Sequence, residues 1–229
     1  MDSLNEYFSL MEERPDLFRN IGERGEIKII LDRRRVIAEQ SRIREKLRSE
    51  GKSEHWIDIG VLSEDQWFWV VRDLVEFPDG RVGGYIRFIN RKSQEGGYNV
   101  VLMCARQNQV LMIKKFRHEE RGWSWEFPRG FGEPGLTAEE NARQELEEEV
   151  GLKPSRLIEL TTVKEGDGGT SVFYAEIPEG QPFGLDKGEA ISDGRWVAFK
   201  EFDQLIADGK VADYYTLWAY TLAKIKKAI

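Results

Sequence analysis

The sequence predicts an α+β fold in which helices cover a mixed β-sheet. Short strand-like segments separated by turn residues dominate from Trp67 onward, and one amphipathic helix follows in mid-chain. Further strands and then helices complete the sequence. Hairpins first, a helix in the middle, and strands and helices after it are the element order of an α+β domain.

Composition limits both the fold and the partners. The chain has 229 residues, of which 40% are hydrophobic and 33% are charged, so it can bury a core and is not of the disordered class. This length suits one large domain, or one domain with a smaller appendage. The net charge of −7 gives no general attraction to nucleic acid or to an anionic membrane. A phosphorylated ligand would therefore need local cations or a metal ion.

Cysteine usage and hydropathy indicate a cytoplasmic, soluble protein. Cys104 is the only cysteine, so no disulfide can form within the chain. Its place in the segment NVVLMCA suits a small apolar strand residue. The first residues carry early acids and no long apolar run, so we expect no signal peptide. No segment approaches the roughly 18 consecutive apolar residues of a membrane span.

Residues 1–60 differ from the rest and are predicted to form a helical N-terminal extension. A short amphipathic helix is expected near Leu4 to Met11, an apolar patch follows at Ile27 to Leu31, and a basic helix then covers RRRVIAEQSRIREKLR. A basic helix can bind nucleic acid or a membrane, or it can be solvated and pack one apolar stripe on the protein body or on a partner subunit. The Glu–Arg pairs of this helix and the net negative charge of the chain favour the second alternative, a solvated helix that packs through one apolar stripe.

Two hairpins are predicted at the start of residues 61–229, which form the predicted main domain. WFWVVRDLVEF and RVGGYIRFI are separated by Pro78–Gly80, whose composition suits a hairpin turn. NVVLMCA and VLMIKKF are separated by the short turn at 106–109. In the next extended segment Trp123 and Trp125 lie on one side and Glu126 on the other, because strand side chains alternate.

The mid-chain helix has clear start and stop signals. Thr137 and Glu140 form a capping box that places the first helical residue near Ala138. Gly151, followed by Pro154, ends the helix. SRLIELTTV, SVFYAEI and GRWVAF are predicted as later strands.

A second helix is predicted at the C-terminal end of the sequence, with Asp213 as its N-cap. Five large apolar residues are expected to form its buried stripe: Tyr214, Leu217, Trp218, Leu222 and Ile225.

The glutamates of the mid-chain helix divide into two groups when the helix is advanced about 100° per residue. Four residues define the apolar stripe, Ala138, Ala142, Leu146 and Val150, and three point away from it, Glu140, Arg143 and Glu147. Glu145 and Glu149 fall on the border of the stripe, and Glu148 lies beside them. Carboxylates crowded at a partly buried edge repel each other. Either some stay protonated, or a hard cation such as Mg²⁺ or Mn²⁺ binds among them.

The same segment resembles the signature motif of the Nudix hydrolases. That motif is a glycine, five residues, a glutamate, seven residues, and then Arg-Glu-apolar-x-Glu-Glu-x-Gly-apolar. Gly130 and the run Glu145 to Leu152 match it in register. The chain departs from it twice, with Leu136 in place of the glutamate and Gln144 in place of the arginine.

The resemblance extends from about residue 65 onward and is greatest to the ADP-sugar pyrophosphatase branch. The segments that carry it are Phe116 to His118, Trp125 to Gly130, the upstream strand pair with its Pro-Asp-Gly turn, and Gly209 to Asp213 before the terminal helix. It implies an α/β/α sandwich and metal-dependent hydrolysis of a nucleoside diphosphate linked to another group. ADP-ribose or a related nucleotide sugar is the implied substrate, and a homodimer is the implied assembly.

The resemblance also implies roles for individual residues. Glu145, Glu148 and Glu149 would bind Mg²⁺, with Mn²⁺ as the alternative ion, and Glu148 could instead be the base that activates water. The candidate substrate-binding residues are Arg117, which would steady the diphosphate, Arg129, Gly130 and Trp67. The backbone carbonyl of Arg129 would also contact the metal. Glu165 or Asp167 would supply a further catalytic acid.

The two departures keep a second interpretation open. Gln144 can donate a hydrogen bond but brings no positive charge, and Leu136 removes an auxiliary carboxylate. A Nudix-like module that binds such a ligand without cutting it is the alternative. The intact set of Glu145, Glu148 and Glu149 favours an active enzyme over that module and over a purely structural protein.

Trp67 has two interpretations as well. An aromatic residue from the N-terminal strands clamps the adenine in this branch, and Trp67 or Trp69 could serve. Packing in the core or at a dimer interface is the more common role of a tryptophan.

Overall fold

The computed structural model describes residues 3–186 and 188–229. The chain divides into two compact units, Met1–Arg91 and Lys92–Ile229. The division into 1–60 and 61–229 stays a prediction of the sequence, and the structural boundary falls at a later point because the first predicted hairpin belongs to the first unit. Within the described residues, no helix is both long and apolar enough to cross a bilayer.

The first unit is built around one central strand. Its elements in chain order are α1 (Ser3–Glu13), β1 (Lys28–Ile29), α2 (Arg33–Ser49), β2 (Gly60–Glu64), β3 (Phe68–Glu76), β4 (Val82–Asn90) and the first residue of α3 (Arg91–Gln94). Strand β3 pairs antiparallel with β4 along its length, and with β1 and β2 near its two ends. The predicted turn joins β3 to β4, and Gly80 takes the positive φ of +81° that it requires. Strand β2 was not predicted.

The basic helix α2 packs on the first unit and pairs its charges locally. Val36 is fully buried, and Ile43 and Leu47 pack against the same core, as the predicted stripe requires. Four ion pairs involve its arginines: Arg35–Glu76, Arg42–Glu39, Arg44–Asp58 and Arg48–Glu54. The packing interpretation of this helix therefore agrees with the structure.

The second unit contains a seven-stranded mixed sheet. Its elements are β5 (Tyr98–Arg106), β6 (Gln109–Arg117), β7 (Gly122–Glu126), β8 (Arg129–Gly130), α4 (Ala138–Val150), β9 (Arg156–Glu165), β10 (Gly168–Glu176), β11 (Ile191–Ala198), α5 (Phe199–Ala207) and α6 (Tyr214–Ile225). The strand order is β11-β6-β5-β10-β9, and only the β5–β10 pair is parallel.

Strands β5 and β6 form an unusual hairpin that opens after its turn. They pair with each other only at Ala105–Val110 and Arg106–Gln109. Beyond these pairs β7 lies beside β6, and β8 lies beside β5. Strands β7 and β8 thus lie between the diverging parts of β5 and β6, and residues 127–128 join them.

Helices cover both faces of this sheet, which confirms the α/β/α sandwich. On one face Leu102 and Ile113 pack against Leu146 of α4. On the other face Met103 and Met112 belong to a second core with residues of α5 and α6. Alternation along β5 and β6 sends successive side chains to the two cores.

The buried face of α6 differs from the predicted stripe. Thr216, Ala219, Tyr220 and Ala223 are the buried residues, whereas Tyr214 and Ile225 are 67% and 71% exposed. Small side chains let the helix approach β5 and β10 closely, so the large residues Leu217, Trp218 and Leu222 are left at the edges of the contact. Helix α5, which the sequence analysis did not identify, shares this core through Phe202.

Candidate active site

Helix α4 is fixed at both ends. The Thr137 hydroxyl accepts a hydrogen bond from the Glu140 amide at 3.2 Å, and the Glu140 carboxylate accepts one from the Thr137 amide at 2.9 Å. Gly151 adopts a left-handed φ of +65° at the C-cap. Both predicted ends are confirmed, and together with the packed apolar stripe they set which way each glutamate points.

The glutamates of α4 lie where the helical periodicity predicted. Glu140, Arg143 and Glu147 are exposed. Glu149 is buried at 2% exposure, and Glu145 is half-buried. Glu148 remains exposed, and its carboxylate accepts a hydrogen bond of 3.1 Å from the Gln144 amide.

Both carboxylate oxygens of Glu149 are engaged. Oε1 pairs with the Lys115 ammonium from β6, and Oε2 accepts a hydrogen bond of 3.1 Å from the Arg129 backbone amide. The Lys115 ammonium also forms a 3.0 Å ion pair with Glu189, which precedes β11. Burial lowers the pKa of Lys115, but the two carboxylates outweigh this, so its pKa stays above the usual range.

Glu145 is compensated less by Lys115 than Glu149 is. Its carboxyl group lies against Gly130, where any Cβ would overlap it. Burial raises the pKa of Glu145 to about 8, with further contributions from the negative charges of Glu149 and Glu148. Gly130 is therefore glycine because the Glu145 side chain fills the space of its missing side chain.

Arg117 and Arg129 share a second buried carboxylate, Glu126. Arg117 contacts Glu126 through Nε at 2.8 Å and through Nη2, and Arg129 Nε lies 3.5 Å from the same carboxylate. Arg129 Nη2 also pairs with Asp213 at 3.2 Å, and its guanidinium lies over the Tyr215 ring. Register places Arg117 and Glu126 on the same sheet face as Lys115, the face that α4 covers.

The other predicted residues have different contacts. Glu165 ends β9, and Asp167 lies in the β9–β10 turn, where its carbonyl accepts a 3.3 Å hydrogen bond from the Tyr98 hydroxyl. Trp67 belongs to the first unit and is 37% exposed, next to β3. Trp69 is buried and donates from its indole nitrogen to Glu64 at 3.1 Å, which is a packing role.

The donor set fits a divalent cation in its chemistry, because carboxylate oxygens are the ligands that Mg²⁺ and Mn²⁺ prefer. No group of three His, Cys, Asp or Glu side chains in the described chain is arranged to hold a metal ion. Lys115 and the Arg129 amide contact the two carboxylate oxygens of Glu149. Half-buried Glu145 beside Glu149 and Glu148 still leaves excess negative charge, which hard oxygen ligands normally share with Mg²⁺ or Mn²⁺.

Lys115 and Glu189 were missed by the sequence analysis. Strand alternation in IKKF places Lys115 on the inward face with Ile113, and a charged residue on an inward face is a usable signal. Glu189 lies in a segment without periodicity, so only the folded chain brings it to Lys115.

Comparison with known proteins agrees with the motif. Residues 96–218 match the model of the NUDIX domain family. A solved structure described as that of an ADP compounds hydrolase is similar with a TM-score of 0.54 and 17% identity, over 72% of this chain and 88% of that one. At this identity the likeness concerns the fold alone.

Curated relatives match over a shorter segment. An RNA pyrophosphohydrolase of Shewanella sp. (strain MR-7) is 39% identical over 64 residues, which is 28% of this chain and 34% of the relative. The protein of the same name from Shewanella oneidensis is 38% identical over 64 residues. The chain thus spans about a third of the length of the curated relatives it matches.

Proposed function

Because the chain belongs to the Nudix family, whose domain model matches more than half of it, we propose that it is a pyrophosphatase. It hydrolyses the diphosphate bond of a nucleoside diphosphate linked to another group. The products are a nucleoside monophosphate and the phosphate of the other group. The observation that carries the proposal is the crowded carboxylate edge of α4, where Glu145 packs on Gly130 beside buried Glu149.

Members of this family generally use divalent metal ions, and we propose Mg²⁺, with Mn²⁺ as an alternative, for this chain. Glu145, Glu148 and Glu149 would hold the ion, together with the Arg129 carbonyl. A bound ion would neutralise the diphosphate and lower the pKa of the attacking water.

The residues of the chain supply the remaining steps. Glu148, which is exposed, is the proposed acceptor of a proton from water, and Glu165 is the proposed additional acid. Glu126 holds the Arg117 guanidinium through Nε and Nη2, which leaves Nη1 for a phosphate oxygen. Gly130 leaves the room that the Glu145 carboxylate needs.

ADP-ribose or a related nucleotide sugar is the proposed substrate. The resemblance to the ADP-sugar pyrophosphatase branch supports it, and the name of the structural neighbour agrees. Trp67 is the proposed adenine contact. The net charge of −7 argues against nucleic acid, although the matched curated relatives carry the name RNA pyrophosphohydrolase.

A substrate panel with product identification tests the proposal. The purified protein is incubated with ADP-ribose, ADP-glucose, NADH, a dinucleoside polyphosphate and a 5′-triphosphorylated RNA, each with Mg²⁺ or Mn²⁺. We expect AMP and ribose 5-phosphate from ADP-ribose. Glu149→Gln should lower the rate by roughly a thousandfold or more, because a buried ligand charge is lost. Glu147→Gln, an exposed change on the same helix, is the matched control.

A ligand-binding module without hydrolysis is the second candidate, favoured by Leu136 and Gln144. It predicts that ADP-ribose raises the thermal midpoint of the protein and is recovered unchanged. Cleavage that Glu149→Gln abolishes would reject this candidate. No cleavage of any panel member would reject the enzyme.

A homodimer in the cytoplasm is the proposed state of the protein. Strand β4 is the support for self-association, because it pairs with β3 on one edge and exposes Tyr85, Ile86 and Phe88. An apolar edge strand invites pairing with another chain. Light scattering should give a dimer mass, and Phe88→Glu should shift the protein toward monomer. A monomeric parent protein would contradict the proposal.

A further inference from the structure

Lys115 occupies a position where a lysine conflicts with the proposed metal site. Its side chain is only 11% exposed, and its ammonium group bonds Oε1 of Glu149, one of the proposed ligands. If a divalent ion bound the same carboxylate, it would lie close to the Lys115 ammonium. The two positive charges would repel each other, and the repulsion is strong where water is excluded. The ion and the lysine therefore compete for the same carboxylate oxygen.

The same contact solves a problem of the metal-free protein. Glu149 is buried, and the negative charge of nearby Glu145 repels the negative charge of Glu149. A buried carboxylate left unpaired destabilises a fold by several kcal/mol. Lys115 provides the only ammonium or guanidinium charge that pairs with the Glu149 side chain among the described residues.

Glu189 gives the ammonium a second place to bind. It already contacts Lys115 at 3.0 Å, and its side chain is 52% exposed. Two backbone hydrogen bonds hold the segment around it: the Phe116 amide donates to the Ala190 carbonyl at 3.0 Å, and the Asp186 amide donates to the Glu149 carbonyl at 3.1 Å. The acceptor is thus kept within reach of Lys115 whether or not Glu149 is engaged.

We propose that Lys115 is a displaceable internal counter-ion, which pairs with Glu149 in the metal-free protein and moves fully to Glu189 when a divalent cation binds. It is a positioning residue, since it acts through Glu149. The proposal rests on the proposed metal-dependent function. It also accounts for the absence of the motif arginine at Gln144, because the compensating charge comes from the sheet instead of the helix.

The decisive experiment measures Mn²⁺ binding by calorimetry and thermal unfolding in EDTA for five proteins. These are the wild type, Lys115→Met, Glu189→Gln, the double variant, and Lys114→Met as control. Lys114 lies next in sequence but on the other sheet face, over the Trp123 ring. If Lys115→Met fails to fold, Lys115→Gln takes its place, because an amide can still donate to Glu149.

Lys115→Met should lower the thermal midpoint in EDTA by several degrees and tighten Mn²⁺ binding by roughly tenfold or more, because the competing charge is gone. Glu189→Gln should weaken Mn²⁺ binding severalfold in the wild-type background. In the Lys115→Met background it should change binding less than about twofold, since there is no ammonium left to receive. Lys114→Met should leave both measurements at wild-type values.

Three results would overturn the proposal. Weaker Mn²⁺ binding by Lys115→Met would make Lys115 a support of the site instead of a competitor. An equal effect of Glu189→Gln in both backgrounds would make Glu189 a direct ligand. Lys115→Met could also bind Mn²⁺ as tightly as the wild type does, in a protein that hydrolyses ADP-ribose. That result would reject the counter-ion role of Lys115 but not the proposed function. A wild type that binds no metal would instead reject the proposed function itself.

Discussion

Each of the two units buries carboxylates, and Asp73 of the first unit is compensated more completely than Glu149 of the second. In the first unit Asp73, 1% exposed, accepts hydrogen bonds from Tyr7 at 2.9 Å and from two nitrogens of Arg87 at 2.5 and 3.0 Å. Burial and the Asp73 charge raise the pKa of Tyr7, which keeps its hydroxyl a donor. In the second unit the Lys115 ammonium pairs with both Glu149 and Glu189, and Glu145 is a further carboxylate beside Glu149.

The two sites differ in how completely the carboxylate charge is compensated. Around Asp73, one negative charge meets one positive charge, and Arg87 also donates to the Leu17 carbonyl at 2.8 Å. Nothing there requires a ligand. Around Glu149 the negative charges outnumber the positive ones, so the cluster gains from an added cation. Of the two carboxylates, Glu149 is thus the one whose surroundings an added cation would stabilise.

The largest effect on stability should come from Asp73→Asn. Removing the charge leaves Arg87 partly buried without its partner, which should cost about 3 kcal/mol of unfolding free energy. Urea unfolding followed by tryptophan fluorescence measures it. The exposed change Asp79→Asn, in the β3–β4 turn, is the control. If the folded variant also lost most of its hydrolytic activity, Asp73 would not be a purely structural residue.

Gly130→Ala, in the second unit, should reduce activity strongly and stability only slightly, whereas Asp73→Asn mainly reduces stability. The new methyl group overlaps the Glu145 carboxyl, so the flexible side chain must move while the backbone stays. Because a displacement of about 1 Å in a catalytic group costs on the order of a hundredfold in rate, we expect that loss in kcat/KM. The thermal midpoint should fall only a few degrees. Gly135→Ala, in a loop with open space but a positive φ, controls for simple glycine loss.

Thr137→Ala tests whether the helix that carries the carboxylates is as rigid as its caps indicate. Loss of the capping hydroxyl should cost about 1 kcal/mol. Activity of the folded protein should change less than about twofold, because Glu145 lies two turns away. Thr221→Ala removes a mid-helix hydroxyl that bonds the Leu217 carbonyl, and it should be nearly neutral.

Gln144→Arg should have the smallest effect. It restores the motif arginine beside exposed Glu148, and a solvent-exposed pair at this spacing contributes about 0.3 kcal/mol. Because Lys115 already compensates Glu149, we expect a rate change of less than about threefold. A gain of tenfold or more would show that the compensation by Lys115 is insufficient.

Much of the second unit could be predicted from local patterns. The capping box at Thr137 and the left-handed Gly151 fixed the ends of α4, and its 3.6-residue period separated exposed Glu147 from buried Glu149. These features depend on residues within a few positions of each other. The α/β/α sandwich followed from the motif resemblance.

The remaining features depend on distant contacts. Lys115 meets Glu149 from a strand that lies 34 residues earlier, and Glu189 comes from 74 residues after Lys115. The stripe of α6 was predicted from its large residues, whereas tight packing on the sheet selected Thr216, Ala219 and Ala223. Strand β2 is short and has two exposed polar residues at its end, so alternation gives little signal there.

The opened hairpin of β5 and β6 has a consequence for how this enzyme could change over evolutionary time. The divergence of the two strands is set by backbone pairing, and the charged residues near it come from five segments: β6, β7, β8, α4 and the residues before β11. Single substitutions at the rim can therefore redistribute charge without moving the frame. Leu136 and Gln144 are two positions at which this sequence departs from the motif, while α4 keeps its capping box.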